Sequence, residues 1–294
     1  MCGIVGYIGK EDARKVIISS LMNMKYRGCD NSGVALLDNN KFKIFKDVGT
    51  IDELEPKISS NFECHFGVGH TRWATTGAIN KSDAHPHLSI DGRFIIVHNG
   101  NIENYKQLKE KYISNQDKLL STTDTEIIVN LISLFAQKKS VLESINETIK
   151  LLKGSYAILL IDTKDNNKIY FAKNKTPLII GKSENEIIFS SDLISIVDYA
   201  NQYNALHNET FGYYCSGELK IYNKYFEEKN IKFKNIGFTM SDIEAIQYQH
   251  LIPQEIYRKP KEVVKLIQDF FDKKNIGVSQ DVINIIKYNV INLV

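Results

Sequence analysis

Residues 2–9 are CGIVGYIG. The alternation of apolar and small residues over 2–8 predicts a β-strand that starts at the second residue of the chain. Position 2 is ordinarily a frayed, solvent-washed place, poor for packing and poor for a disulfide. A cysteine there is either accidental or functional. In the functional case Met1 is removed and Cys2 becomes the first residue, so that one residue carries both a thiol and a free α-amino group. The strand behind it would then hold the thiol on a rigid edge, with Gly3 and Gly6 admitting close approach of other backbone or of substrate.

Outward from this strand, DARKVIISSLMNM (12–24) repeats apolar residues at helical spacing behind a capping Asp12. SGVALLD (32–38) and KFKIFK (41–46) bracket an Asn-Asn pair and predict a hairpin. Further strands are expected at HFGVGH (65–70), RFIIVHN (93–99), SYAILLID (155–162), KIYFAK (168–173), PLIIGK (177–182), EIIFSS (186–191) and FGYYCSG (211–217). Helices are expected at NYKQLKEKY (104–112), TDTEIIVNLISLFAQ (123–137) and LISIVDYANQY (193–203). Many short strands with few evenly spaced βαβ units predict a layered α+β sandwich. One domain is expected over 1–240. Beyond it, an extended arm, an amphipathic helix, a second helix at DVINIIKYNV (281–290) and the terminal apolar run INLV (291–294) predict a linker and the incomplete start of another domain over 241–294.

Of the 294 residues, 37 are basic and 35 acidic, a net charge of +2, which gives no electrostatic reason to expect nucleic acid or a membrane surface as partner. Cys2, Cys29, Cys64 and Cys215 form no CxxC pair, so neither a disulfide framework nor a zinc ribbon is expected. With no basic-then-apolar leader and no bilayer-length apolar run, a reducing cytoplasm is the expected location, where an exposed thiol persists. His70, His85, His87 and His98 would be the ligands of a metal hydrolase, yet no HExxH or compact carboxylate–histidine motif accompanies them; structural histidines and no metal are expected.

The chemistry is spread over four stretches. A thiol of ordinary pKa about 8.5 beside an amine of about 7.7–8.0 is an activated nucleophile with its own base. In GVGHTRWATTG (67–77), Arg72 has the fork that suits a carboxylate, beside the single tryptophan, Trp73; a surface ion pair and a core tryptophan are the alternative. In VHNGNIENY (97–105), Asn99 and the N–H of Gly100 are either an ordinary Asn-Gly turn or a pair of oxyanion donors. In STTDTEIIVNLI (121–132), Thr123, Asp124 and Glu126 are either helix capping residues or, for Asp124, a receiver of an α-ammonium group. Together, the functional alternatives would bind and attack an amino acid that bears a side-chain amide.

CGIVGYIG, YRGCDNSGVALLD, GHTRWATTG, AHPH, VHNGNIENY, TDTEIIVNLI and GSYAILLID stand in the order and spacing of the class II glutamine amidotransferases. HTRWAT, AHPH and HNG with IENY resemble most specifically the glucosamine-6-phosphate synthase family, and YQHLIPQEIYRKP (248–260) resembles that family's crossing between its two halves. The resemblance implies a four-layer αββα Ntn-hydrolase sandwich, L-glutamine as substrate, no cofactor, and an isomerase domain or chain that binds fructose 6-phosphate. It implies Cys2 as nucleophile, Asn99 and Gly100 as oxyanion hole, Arg72 as binder of the glutamine carboxylate, and the Gly100 carbonyl with Asp124 as receivers of its ammonium. Trp73, Thr75 and Gly77 would lie in the loop that closes over glutamine, and Arg27 with Gly28 would line the nucleophile's surroundings. The family usually has Tyr where Cys29 stands and often His where Thr76 stands, a change that bears on loop closure. The family's phosphate loops resembling CGTS and SQSGET do not occur, so the sequence as written holds no ammonia acceptor. A non-catalytic glutamine-sensing module is the alternative function; it needs Arg72 and Asp124 but not Cys2.

Overall fold

In the computed structural model, residues 2–58, 64–75, 77–184 and 186–240 are described. Contacts divide the chain into Met1–Gly237 and Phe238–Val294; the fold below is that of the first unit. The linker and helices expected over 241–294 lie outside the described residues.

The alternation of residues 3–8 gives β1 (Gly3–Ile8), with Ile4 on one face and Val5 and Tyr7 on the other. Asp12 caps α1 (Ala13–Met22) by accepting from the Arg14 N–H, and Val16, Ile17 and Leu21 bury the face that helical spacing puts together. β2 (Asn31–Asp38) and β3 (Lys41–Val48) form the expected hairpin. Asn39 and Asn40 take φ of 46° and 63°, the left-handed pair that a two-residue turn requires. After the single turn α2 (Ile51–Leu54) come β4 (Phe66–Arg72), β5 (His87–Leu88) and β6 (Phe94–Ile102). Three helices follow, α3 (Tyr105–Tyr112), α4 (Asp124–Phe135) and α5 (Val141–Leu151). The chain then returns through β7 (Gly154–Asp162), β8 (Lys168–Asn174), β9 (Ile179–Lys182) and β10 (Ile187–Ser190). It ends in β11 (Gln202–Ala205), β12 (Thr210–Cys215), β13 (Glu218–Asn223) and β14 (Lys234–Asn235).

The strands make two sheets, ordered β14-β11-β9-β10-β1-β4-β2-β3 and β13-β12-β8-β7-β6-β5, with antiparallel neighbours throughout. The period of two decides what each face meets. Ile4 and Val68 of the first sheet meet Ile95, Val97, Leu159 and Ile161 of the second, filling the space between the sheets. Val5, Tyr7 and Val34, on the opposite face, pack on α1 and α2. Phe94, Ile96, Ile158 and Leu160 pack outward on α3, α4 and α5. The result is the four-layer αββα sandwich that the motifs imply.

Three local expectations change. LISIVDYANQY is not an α-helix: a 3-10 turn spans Ile194–Ile196, and Gln202 and Tyr203 already pair with β9. Ser195 turns its hydroxyl to Ser190 and to the Asp192 carbonyl, and pairing with β9 outweighs the helical spacing of the apolar residues. Helix α5, absent from the sequence reading, starts at a reciprocal Ser140/Glu143 capping box. Gly6 admits side chains of the facing sheet rather than substrate, since a Cβ there would lie 2.6 Å from Ile169 and 2.8 Å from Leu159.

Candidate active site

Gly3 pairs with Thr71, so the register of β1 against β4 delivers Cys2 to the end of β4, where Arg72 and Trp73 stand. The Trp73 N–H donates to Cys2 Sγ at 3.3 Å, and the thiol lies 3.6 Å from the Trp73 carbonyl. It is the backbone of Trp73 that touches the sulfur; the indole is half exposed, at 50%. Burial pushes the Cys2 thiol above its ordinary pKa, an effect that the Trp73 N–H and the Arg72 charge partly oppose. The resting sulfur is therefore a neutral thiol, which needs a base to attack.

From the second sheet, Asn99 reaches the same place. Its Nδ2 donates to the Cys2 carbonyl at 2.8 Å, and its Oδ1 is buried without a partner. Gly100 has φ +141°, and a Cβ would press into the Ser155 carbonyl of β7, so only glycine lets the strand run past this point. The Asn-Gly pair is thus part of a continuous strand, not a hairpin turn, and Gly100 is exposed.

Arg72 is buried, at 3% exposure. Its Nη1 donates to Asn31 Oδ1 at 3.0 Å and to the Ala78 carbonyl at 2.7 Å, which fixes the plane of the guanidinium. The surface ion pair considered for it is therefore not its environment. Asp124 opens α4, and its Oδ2 accepts from the Ile102 N–H at 2.8 Å, two residues beyond Gly100. The three capping candidates act elsewhere: Thr123 Oγ1 bonds His87, and Glu126 accepts from the N–H groups of Leu120 and Ser121. Thr75 is exposed; Thr76 lies outside the described residues. Gly77 has φ +84°.

Arg27 closes a 3-10 turn after α1, and Gly28 follows it. Arg27 donates from Nε and Nη2 to Asp192 Oδ2 at 3.1 and 2.6 Å, and the Tyr26 hydroxyl shares that oxygen. The neighbouring Ser191 bonds the backbone of Ile4 in both directions, so this ion pair braces the strand behind Cys2. A Cβ on Gly28 would lie 2.8 Å from the Arg72 carbonyl carbon, so its bare α-carbon lets β4 end close by. Sequence reasoning missed Asn31, Asp30 (which accepts from the Ala74 N–H at 2.7 Å), Asp83 and Asp192. Their one signal was the cluster of Asp and Asn at strand ends, which turns produce equally well.

The four histidines are buried together, with His70 stacked on His85 and His87 edge-on to His85. His70 and His85 rings are 4.1 Å apart and His85 and His87 are 4.6 Å apart. His85 and His98 both bond Thr125 Oγ1 at 2.9 Å, and His70 Nε2 bonds the His98 carbonyl at 3.0 Å. Among the described residues, no group of three or more His, Cys, Asp or Glu side chains has a geometry that could hold a metal ion. Burial holds all four imidazoles neutral, His70 down to about 3. Unfolded, each would take up a proton below about 6.5. Their contribution to stability is therefore complete above pH 6.5 and is lost as pH falls, by up to about 1.4 kcal/mol per pH unit for each histidine. Urea denaturation should give a steeply falling midpoint from pH 7 to 5. A flat midpoint would contradict this account of the stack.

The comparisons with known proteins bear on the family and the fold. The family model described as "Glutamine amidotransferase domain" matches residues 70–198. The glutamine–fructose-6-phosphate aminotransferase (isomerizing) of Staphylococcus aureus is 38% identical over 292 residues, covering 98% of this chain and 48% of the relative. That of Listeria innocua is 39% identical over 285 residues, covering 97% and 47%. This chain carries a glutamine amidotransferase domain. The amidotransferase chain spans about half the length of the curated relatives it matches. The Bacillus subtilis glutamine phosphoribosylpyrophosphate amidotransferase, solved with ADP and GMP, superposes with TM-score 0.65 at 22% identity, over 77% of this chain and 50% of that one. That likeness is one of fold. Among the described residues, no helix of the amidotransferase is long and apolar enough to cross a membrane.

Proposed function

We propose that this chain hydrolyses the side-chain amide of L-glutamine to glutamate and ammonia, through a thioester on Cys2. One observation carries the reading. The Cys2 thiol meets the Trp73 backbone, the Asn99 amide of the other sheet holds the Cys2 carbonyl, and the charges of Arg72 and Asp124 both act on the thiol. The glutamine carboxylate docks on Arg72 and its ammonium on Asp124, which sets the side-chain amide over Cys2. Once Met1 is removed, the α-amine takes the thiol proton as sulfur attacks the amide carbon. An amide nitrogen carries two N–H donors, and Asn99 uses one on Cys2; the other, with the Gly100 N–H, receives the developing oxyanion. The α-ammonium returns its proton to the leaving nitrogen, which departs as ammonia. Water then attacks the thioester carbon, the C–S bond breaks, and glutamate and the thiol are restored.

In a protein that also holds an isomerase half, the ammonia passes to fructose 6-phosphate to form glucosamine 6-phosphate, a reading supported by the curated relatives' name, glutamine–fructose-6-phosphate aminotransferase (isomerizing). Residues 1–240 are the glutaminase domain in this proposal, and 241–294 lead toward that second half. The test is glutamate release by the purified chain, with and without fructose 6-phosphate. Release in both, with no aminated sugar, is the expected result; no release in either would overturn the reading.

A further inference from the structure

Asp83 is only 1% exposed, and the chemistry above does not use it. Its Oδ2 accepts from the Ala78 N–H at 2.6 Å and from the Thr122 hydroxyl at 2.7 Å, and its Oδ1 accepts from the Thr122 N–H at 2.9 Å. Its own N–H donates to Asn80 Oδ1 at 2.8 Å. The far side of the Ala78 peptide is the carbonyl that accepts from Arg72 at 2.7 Å. Asn31 grips the same segment twice, with Oδ1 on Arg72 and Nδ2 on the Asn80 carbonyl at 3.1 Å. The bare α-carbon of Gly77 is where these groups converge: a Cβ there would lie 2.6 Å from Asp83, 2.9 Å from Thr122 and 3.2 Å from Arg72 Nη2. On the outer side, Lys46 Nζ donates to the carbonyls of Ser82, Ala84 and Pro86, which holds Asp83 itself in place.

We propose that Asp83 is the positioning residue for the glutamine-carboxylate site: by anchoring the Ala78 peptide to Thr122, it presents the Ala78 carbonyl that aims the Arg72 guanidinium. The inference rests on the proposed role of Arg72. The geometry calls for a carboxylate, because backbone N–H donors face both oxygens. An asparagine offers one acceptor and one NH₂, so in either orientation one backbone N–H meets a donor. An alanine leaves all three donors unanswered in a buried place.

The experiment measures glutamate release by the full chain as wild type, Asp83→Asn, Asp83→Ala, Arg72→Ala and the Arg72→Ala/Asp83→Ala double variant. Asp83→Ala should raise KM for glutamine about 10- to 100-fold with kcat changed less than about 5-fold, and Asp83→Asn should fall between it and wild type. Because Asp83 acts through Arg72, the double variant should match Arg72→Ala within about 3-fold. If Asp83→Ala does not fold, Asp83→Asn carries the same KM-against-kcat test. A wild-type KM in the folded Asp83 variants, or multiplied effects in the double variant, would overturn the inference alone. A wild-type chain that releases no glutamate, or an Arg72→Ala chain with unchanged KM, would overturn the reading beneath it and the inference together.

Discussion

Cys2→Ala is expected to abolish glutamate release, by at least about 10⁴-fold in kcat, because no other group can form the acyl intermediate. The fold should survive. Cys2 precedes β1, and its thiol's hydrogen bonds among the described residues are the two with the Trp73 backbone, so the stability change should stay within about 1 kcal/mol. Activity near wild type in the variant would contradict the assignment. Intact mass should show Met1 missing, since a retained methionine leaves no α-amine on Cys2 to act as base. An electrophile shaped like glutamine should label Cys2 and spare the exposed Cys29. A chain that binds glutamine yet leaves Cys2 unlabelled would instead be the glutamine-sensing module.

Arg72→Ala should raise KM for glutamine about 100-fold or more while slowing the chemical step far less, since a bidentate charged contact is lost from ground and transition state alike. An unchanged KM would remove Arg72 from substrate binding. The substitution also leaves Asn31 Oδ1 and the Ala78 carbonyl without the guanidinium, at about 1–3 kcal/mol for each buried group left unsatisfied. A denaturation curve on the same sample separates that loss from the kinetic one. Arg72→Lys restores charge without the fork, and should recover stability better than KM.

The strands that form the core were legible because their residues alternate between two apolar surroundings. Ile4 against Val5, and Phe94 and Ile96 against Ile95 and Val97, leave little choice of register. Asp12 and the Asn39–Asn40 turn were legible because each needs only neighbours in sequence. What stayed hidden depends on distant partners. LISIVDYANQY has helical spacing but yields to pairing with β9, and Glu126 looks like a cap but reaches back to the preceding loop. Cys2, Arg72, Asn99 and Asp124 could be combined into one site by the chemistry of their residue types, but not by their geometry. Asn31 and Asp83 gave no signal that separates them from ordinary turn residues, because a buried asparagine or aspartate declares its role only through the groups it meets.

β1 is laddered on both sides, to β4 and to β10, and Cys2 stands immediately before it. Amide protons of β1 should therefore exchange with deuterium only when the whole domain opens. The sulfur is thus moored to an inner rung of the sheet, so that local fraying at the sheet's outer strands leaves the attacking atom aligned.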